Sequence, residues 1–320
     1  MITSLVATPD GIVAQDGLMV DGAVWIDAVS TTEEERSALA EALGIDLPER
    51  VRMRALEPSS RLVVSEDYLL MTYSGIAQAP AEPALPISCI LSQARLVTVH
   101  AADSEAFEAA RAFATQKGNG ELPKPHDIFL VLVEGSIDAV ADRLQTLGLD
   151  IDRMARDVFG TDARRRRSNQ RVQRSMKRLG LRGTQIMRVQ DSLTSLQRLS
   201  LFMEQHRERI APHIDNQTAM AALRADIHAL SEYAEALDGK IEFLLDAMLG
   251  MITLDQNDIM MVLSLIAAMF LPATLISSIF GMNFEMMPVL KWHHGFFLSI
   301  GAMVSAAVVV ALFFRWRRWM

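Results

Sequence analysis

The chain has one cysteine in 320 residues, Cys89, so no internal disulfide is possible and a reducing compartment is expected. Cys89 lies in the apolar run 85–91, where a buried structural thiol is expected rather than a nucleophile. No basic segment followed by an apolar core opens the sequence, so no signal peptide is expected. Residues 1–120 contain no glycine-rich phosphate loop, no paired catalytic carboxylates and no metal-ligand cluster. No nucleophile–base pair is visible either, and an enzyme is not expected. The net charge of −8 argues against nucleic acid as the main partner.

Charge is also missing from two long stretches. Residues 259–280 are 22 positions without a charge, and 295–314 are 20 more. Each can cross a hydrocarbon core about 30 Å thick. The chain before residue 258 is too polar to do so. The positive mean hydropathy therefore comes largely from the C-terminal region and the 19 methionines. Arg315, Arg317 and Arg318 follow the second run, whereas the loop between the runs holds only Lys291 and Glu285. The positive-inside rule puts the C-terminus in the cytoplasm, and two spans return the N-terminus to the same side. Trp316 and Trp319 suit the headgroup interface.

What precedes the spans reads as an α/β domain (1–124) followed by helices. Ala23–Val29, 61–64, 68–73, 87–91 and Leu96–His100 have strand length and composition, though their order is not readable. Residues 31–43 and 105–114 read as helices, the first capped by Thr32 with Glu33, Glu34 and Glu35 in its first turn. Pro80, Pro83 and Pro86 mark 77–86 as a loop. Residues 125–211 read as a helical hairpin. One arm is 128–159; the other is 162–210, interrupted near Gly180 and Gly183. Ten basic residues (Arg164, Arg165, Arg166, Arg167, Arg171, Arg174, Lys177, Arg178, Arg182 and Arg188) have no acid between Asp162 and Asp191. They make either a solvated helix face or an electropositive patch for nucleic acid or anionic lipid. No aromatic residue interleaves them, which weakens the nucleic-acid reading. A stalk helix (212–258) then runs without a stop into the first span. One helix over 217–280 would be on the order of 95 Å long and needs lateral partners, most simply further copies of itself.

The first span carries Ser264, Thr274, Ser277 and Ser278, with Asn257 and Asp258 at its entrance. Such groups face other helices or water, or bond back to their own helix. The second span reads as an outer, lipid-facing helix. Two spans cannot enclose a pore, so conduction would require an oligomer with the first span on the axis.

Gly281-Met282-Asn283 at the end of the first span, followed by Phe284-Glu285-Met286-Met287-Pro288 and Leu290-Lys291-Trp292, resembles the signature of the CorA family of divalent cation channels. The resemblance covers roughly residues 240–320 closely, and the rest in layout. It implies a funnel-shaped homopentamer in a bacterial inner membrane, with segments 1–124, 125–211, 212–258, 259–280, 281–294, 295–314 and 315–320. It implies a periplasmic selectivity motif of Gly281, Met282 and Asn283, and a pore lined by Asn257, Met260, Leu263, Leu271, Thr274 and Ser278. Met260, Leu263 and Leu271 would form its apolar gate. Asp246 matches a regulatory metal site, but its partner would come from 77–86, where only Glu82 is acidic. Val289 stands where the family has an acid, which leaves Glu285 as the main acid of the mouth loop. The expected substrate is Mg²⁺, with Co²⁺ and Ni²⁺. His293 and His294 suit Zn²⁺ and keep open a zinc transporter of the ZntB type. A membrane-anchored helical scaffold without transport is the alternative of another class.

Overall fold

The computed structural model describes residues 1–9, 11–45, 47, 61–76, 85–116, 122–160, 169–210, 216–282 and 293–317. The chain divides into two compact units, Met1–Leu245 and Asp246–Met320. The first contains a sheet of β1 (Ile2–Thr8), β2 (Gly11–Asp16), β3 (Ala23–Val29), β4 (Leu62–Val64), β5 (Tyr68–Gly75), β6 (Leu85–Ser92) and β7 (Leu96–His100). Their order is β2-β1-β3-β7-β6-β5-β4. Among the described strands only the β3–β7 pairing is parallel, with Trp25 opposite Leu96 and Val29 opposite His100. Helix α1 (Glu33–Leu43) starts at Thr32, whose Oγ1 accepts from the Glu35 N–H while Glu35 Oε2 accepts from the Thr32 N–H. It ends at Gly44, whose φ of 64° suits a residue without a Cβ. The β1–β2 hairpin is absent from the sequence reading. Ser4 is fully buried there, its hydroxyl donating to the Gly17 carbonyl and accepting from the Met19 N–H.

Period-two alternation gives the sheet two different faces. Ile26, Ala28, Leu70, Ile90, Val97 and Val99 form an apolar cluster with Leu39 of α1. The other face carries Trp25, Asp27, Leu96, Thr98 and His100, all buried. Asp27 is 1% exposed and fully engaged. Its Oδ1 accepts from Thr98 Oγ1 at 2.7 Å and lies 2.8 Å from His100 Nε2, and its Oδ2 accepts from Arg111 Nη1 at 2.7 Å. Trp25 Nε1 donates to Thr98 Oγ1 at 2.9 Å, and His100 Nδ1 lies 2.7 Å from the Ala102 carbonyl. Arg111 belongs to α2 (Glu105–Thr115), and the Phe107 ring of the same helix stacks on His100 at 3.6 Å. A polar network thus clamps α2 onto two strands.

Helix α3 (Pro125–Phe159) opens with Pro125 in its first turn and the Asp127 carboxylate accepting from the Lys124 N–H. Helix α4 (Asn169–Gln205) runs unbroken through Gly180 and Gly183, which corrects the expected interruption. Leu179 and Ile186 are buried on either side, and that packing exceeds the roughly 1 kcal/mol cost of each glycine. The expected start of this arm at 162 lies outside the described residues. Ser192 Oγ donates to the Ser74 carbonyl at 2.6 Å, and Ser195 Oγ accepts from the Ser74 N–H at 3.0 Å, so α4 caps the end of β5. The short α5 (Arg207–Ile210) is tied to the β4–β5 turn by Arg209, which donates to the Ser65 and Glu66 carbonyls.

Helix α6 (Asn216–Phe280) is 65 residues long and passes through Pro272. Its part in the first unit buries Leu223, Ile227, Ala234, Leu237, Ile241 and Leu244, a stripe close to heptad spacing. The second unit contains the rest of α6 and α7 (Gly295–Trp316). Both helices are long and apolar enough to cross a membrane. On α7 the half-buried residues are mostly small (Ala302, Ala306, Ala307, Ala311), and Phe296, Phe297, Val309 and Leu312 are exposed. The outer-helix reading is thereby refined: one side of α7 is shaped for close helix approach.

Two predictions follow from the sheet. Asp27→Ala leaves buried His100 without its carboxylate and half-buried Arg111 with Asp103 alone, and should destabilise the protein by about 3 kcal/mol, seen as a lower thermal midpoint by circular dichroism. An unchanged midpoint would show that the network adds nothing net. Cys89 is fully buried, and burial pushes its thiol well above the usual range, with Asp27 adding to the rise. At pH 8 iodoacetamide should leave Cys89 unmodified by intact mass until denaturant is added, and fast labelling of the native protein would contradict this.

Candidate functional site

The second unit is where the sequence-derived site residues concentrate. Asn257, Met260, Leu263, Leu271, Thr274 and Ser278 are all exposed on α6. At about 100° per residue they fall within an arc of roughly 120°. The half-buried residues Leu265, Ala268, Met269, Pro272, Ala273, Ile276 and Phe280 occupy the opposite side. The helix therefore has one shielded flank and one uncovered flank, and the candidate residues share the uncovered one. That flank mixes large apolar groups with small polar ones along its length. In a hydrocarbon environment the polar groups make it the costlier face to leave against lipid.

Hydrogen bonding differs among these residues. Thr274 Oγ1 donates to the Phe270 carbonyl at 2.8 Å, so its proton returns to its own helix. Its oxygen lone pairs stay available as acceptors. The end of α6 is closed by Gly281 and Met282. The Gly281 N–H reaches the Ser277 carbonyl at 2.9 Å, and the Met282 N–H reaches the Ile279 carbonyl at 3.4 Å. A Cβ on Gly281 would meet the Ser277 carbonyl oxygen at 3.2 Å, tighter than ordinary contact. Glycine thus permits the tight closure from which the chain leaves the helix. Asn283 and Glu285 lie outside the described residues.

His293 and His294 are exposed directly before α7, their rings edge to face with centroids 5.5 Å apart. Asp246 is exposed on α6. Of its expected partner segment, 77–86, residues 77–84 lie outside the described residues, and Leu85 and Pro86 belong to β6 rather than to a loop. Among the described residues no three His, Cys, Asp or Glu side chains come together as a metal cluster. The residues that sequence reasoning missed are Asp27, His100 and Arg111. They are 73 and 84 positions apart in pairing, and no local spacing signals their meeting.

Comparison with known proteins is consistent over nearly the whole chain. The family model described as CorA-like Mg2+ transporter protein matches residues 20–318. The magnesium transport protein CorA of Haemophilus ducreyi is 29% identical over 309 residues, covering 94% of this chain and 93% of that protein. The magnesium transport protein CorA of Mannheimia succiniciproducens is 30% identical over 307 residues, covering 93% and 92%. The complete structure of the CorA magnesium transporter from Methanocaldococcus jannaschii superposes with a TM-score of 0.82 at 16% identity, covering 100% of this chain and 99% of that one. That likeness shows the shared fold: an N-terminal α/β domain, a long helix and two C-terminal apolar helices. The family is one of ion transporters and not of enzymes, and this chain belongs to the CorA-like Mg2+ transporter family.

Proposed function

We propose that the chain is a magnesium uptake channel of a bacterial inner membrane, assembled as a homopentamer around α6, with both termini cytoplasmic. The observation that carries this reading is the uncovered arc of α6 bearing Asn257, Met260, Leu263, Leu271, Thr274 and Ser278. Five such arcs facing one axis would cover the polar groups and leave an aqueous path. The magnesium transport named for the curated relatives supports the substrate.

The chemistry fits an ion that keeps its water. Mg²⁺ dehydrates reluctantly and holds an octahedral shell. A ring of Asn283 carboxamides accepts hydrogen bonds from those waters without binding the ion so tightly that it stays. Glu285 draws cations to the mouth, and Gly281 and Met282 position the ring. Met260, Leu263 and Leu271 form apolar constrictions that close by dewetting. Thr274 and Ser278 line the outer half, and Asn257 makes a polar ring at the inner mouth. Asp246 contributes to a regulatory metal site. The driving force is the inside-negative potential, about 4.6 kcal/mol for a divalent ion per 100 mV, so no nucleotide is needed. Co²⁺ and Ni²⁺ share the octahedral hydration and are carried as well.

A zinc reading is supported by one observation, the exposed adjacent imidazoles of His293 and His294, which favour a borderline metal. Proteoliposomes loaded with ion-selective dyes separate the two, and faster Zn²⁺ than Mg²⁺ uptake would favour the ZntB type. In the same vesicles Asn283→Ala should reduce Mg²⁺ uptake at least tenfold, and unchanged uptake would sink the pore assignment. Leu271→Ser should wet the constriction and raise Mg²⁺ leak severalfold under conditions that close the parent. A lowered or unaltered leak would remove Leu271 from the gate. A monomer in detergent, with no flux in vesicles, would return the chain to the scaffold alternative.

A further inference from the structure

One polar side chain of the first apolar run has no role in the proposed path. Between Asp258 and Thr274, about 24 Å of helix, Ser264 alone carries a polar side chain. It stands between Leu263 and Leu271 along α6. At about 100° per residue it lies roughly 40° around the helix from Met260 and roughly 20° from Leu271. Ser264 therefore falls inside the uncovered arc, and it is exposed there.

Its hydroxyl is held differently from the hydroxyls around it. Thr253 Oγ1 donates to the Leu249 carbonyl at 3.0 Å and Thr274 Oγ1 to the Phe270 carbonyl at 2.8 Å. On α7, Ser299 Oγ donates to the Phe296 carbonyl at 2.8 Å. Each returns its proton to its own helix, which is how a helical hydroxyl is hidden from hydrocarbon. The Ser264 hydroxyl has no hydrogen-bond partner among the described residues. Its proton and both lone pairs stay open. An open hydroxyl is costly against lipid, and that cost vanishes against water.

Apolar rings at Met260, Leu263 and Leu271 resist wetting, and such resistance closes a narrow path. A hydroxyl in their midst works against it. Thr274, with its proton committed, offers acceptors to the outward hydrogens of a hydrated ion. Ser264 offers a donor as well, which suits free water better than the shell of a cation. Being neutral, it does not trap the ion. We propose that Ser264 is the wetting point of the constriction. Its hydroxyl anchors water between the levels of Leu263 and Leu271, and so sets how readily a hydrated divalent cation passes. The proposal rests on the channel reading of α6. A Ser264 bonded instead to a neighbouring helix of the assembly would be closed to water.

The test uses the full chain in proteoliposomes, with Ser264→Cys and Ile266→Cys introduced separately. Ile266 is 48% exposed and lies about 160° around the helix from Ser264. Cys89 is buried and does not compete for the label. A small cationic methanethiosulfonate is applied during Mg²⁺ uptake, and adducts are read by intact mass. Ser264→Cys should react about tenfold faster than Ile266→Cys, since the charged reagent travels in water and not in lipid. Ser264→Ala should slow Mg²⁺ uptake severalfold while its elution in detergent stays that of the parent. An unlabelled Ser264→Cys in vesicles that still take up Mg²⁺ overturns the proposal and places the hydroxyl against another helix. Equal labelling at the two positions, or unchanged uptake by Ser264→Ala, also overturns it. Absence of uptake by the parent chain would strike the channel reading and the proposal together, whereas the other three outcomes strike the proposal alone.

Discussion

Everything in this protein depends on how one helix is supported sideways. The 65 residues of α6 cannot be held by their own hydrogen bonds and propensity. In the first unit the support is conventional. Leu223, Ile227, Ala234, Leu237, Ile241 and Leu244 form a buried seam, and the helix behaves as one member of a bundle with α3 and α4. The near-heptad spacing keeps that seam on one side over more than twenty residues. Past residue 258 the requirement changes. The helix becomes uncharged and largely apolar, and its backbone groups must be satisfied internally because lipid offers no partners. Hydrophobic burial no longer drives association there. Packing of small side chains and the few polar groups do so instead.

Much of this was legible because absence of charge is a strong signal. An uncharged run of 22 residues has few uses other than a membrane span, and the structure carries both uncharged runs on helices, one ending at Phe280 and one over Gly295–Trp316. Strands Ala23–Val29 and Leu96–His100 were equally plain, being β-rich runs with turn signals at both ends. The β1–β2 hairpin was not, because Thr3, Ser4 and Thr8 dilute its apolar pattern and Ser4 is buried through its hydroxyl bonds. Gly180 and Gly183 were overread as a break, since local propensity carries no information about Leu179 and Ile186 packing on either side. The strand order was out of reach because the parallel β3–β7 pairing joins residues some seventy apart.

The site divides in the same way. Helical phase alone places Asn257, Met260, Leu263, Leu271, Thr274 and Ser278 within one arc, so any reader of 257–278 as a helix can recover that they share a face. That this face is uncovered, with Leu265, Ala268, Met269 and Ile276 shielded on the other side, comes only from the structure. The meaning of Gly281-Met282-Asn283 came from family resemblance, since three residues carry no periodicity. The network of Asp27, His100 and Arg111 had neither signal. It is assembled by tertiary pairing across β3, β7 and α2, which local sequence does not encode.

The hydrogen bond of Thr274 sharpens what the uncovered face offers an ion. Water molecules around a cation turn their oxygens inward and their hydrogens outward, so a wall that handles a hydrated ion must present acceptors. A threonine hydroxyl free to rotate would present a donor about as readily as an acceptor. Thr274 has its proton committed to the Phe270 carbonyl one turn back, which leaves the oxygen lone pairs as its outward character. On the proposed path the same bond gives the side chain the acceptor polarity that a hydrated divalent ion would need. On the proposed path, apolar rings at Met260, Leu263 and Leu271 exclude the hydrated ion when narrow, and acceptor positions such as Thr274 steady it when the path is wide. Both properties fit on one helix face because neither needs a charge, and that neutrality is what allows the same residues to sit inside a membrane at all.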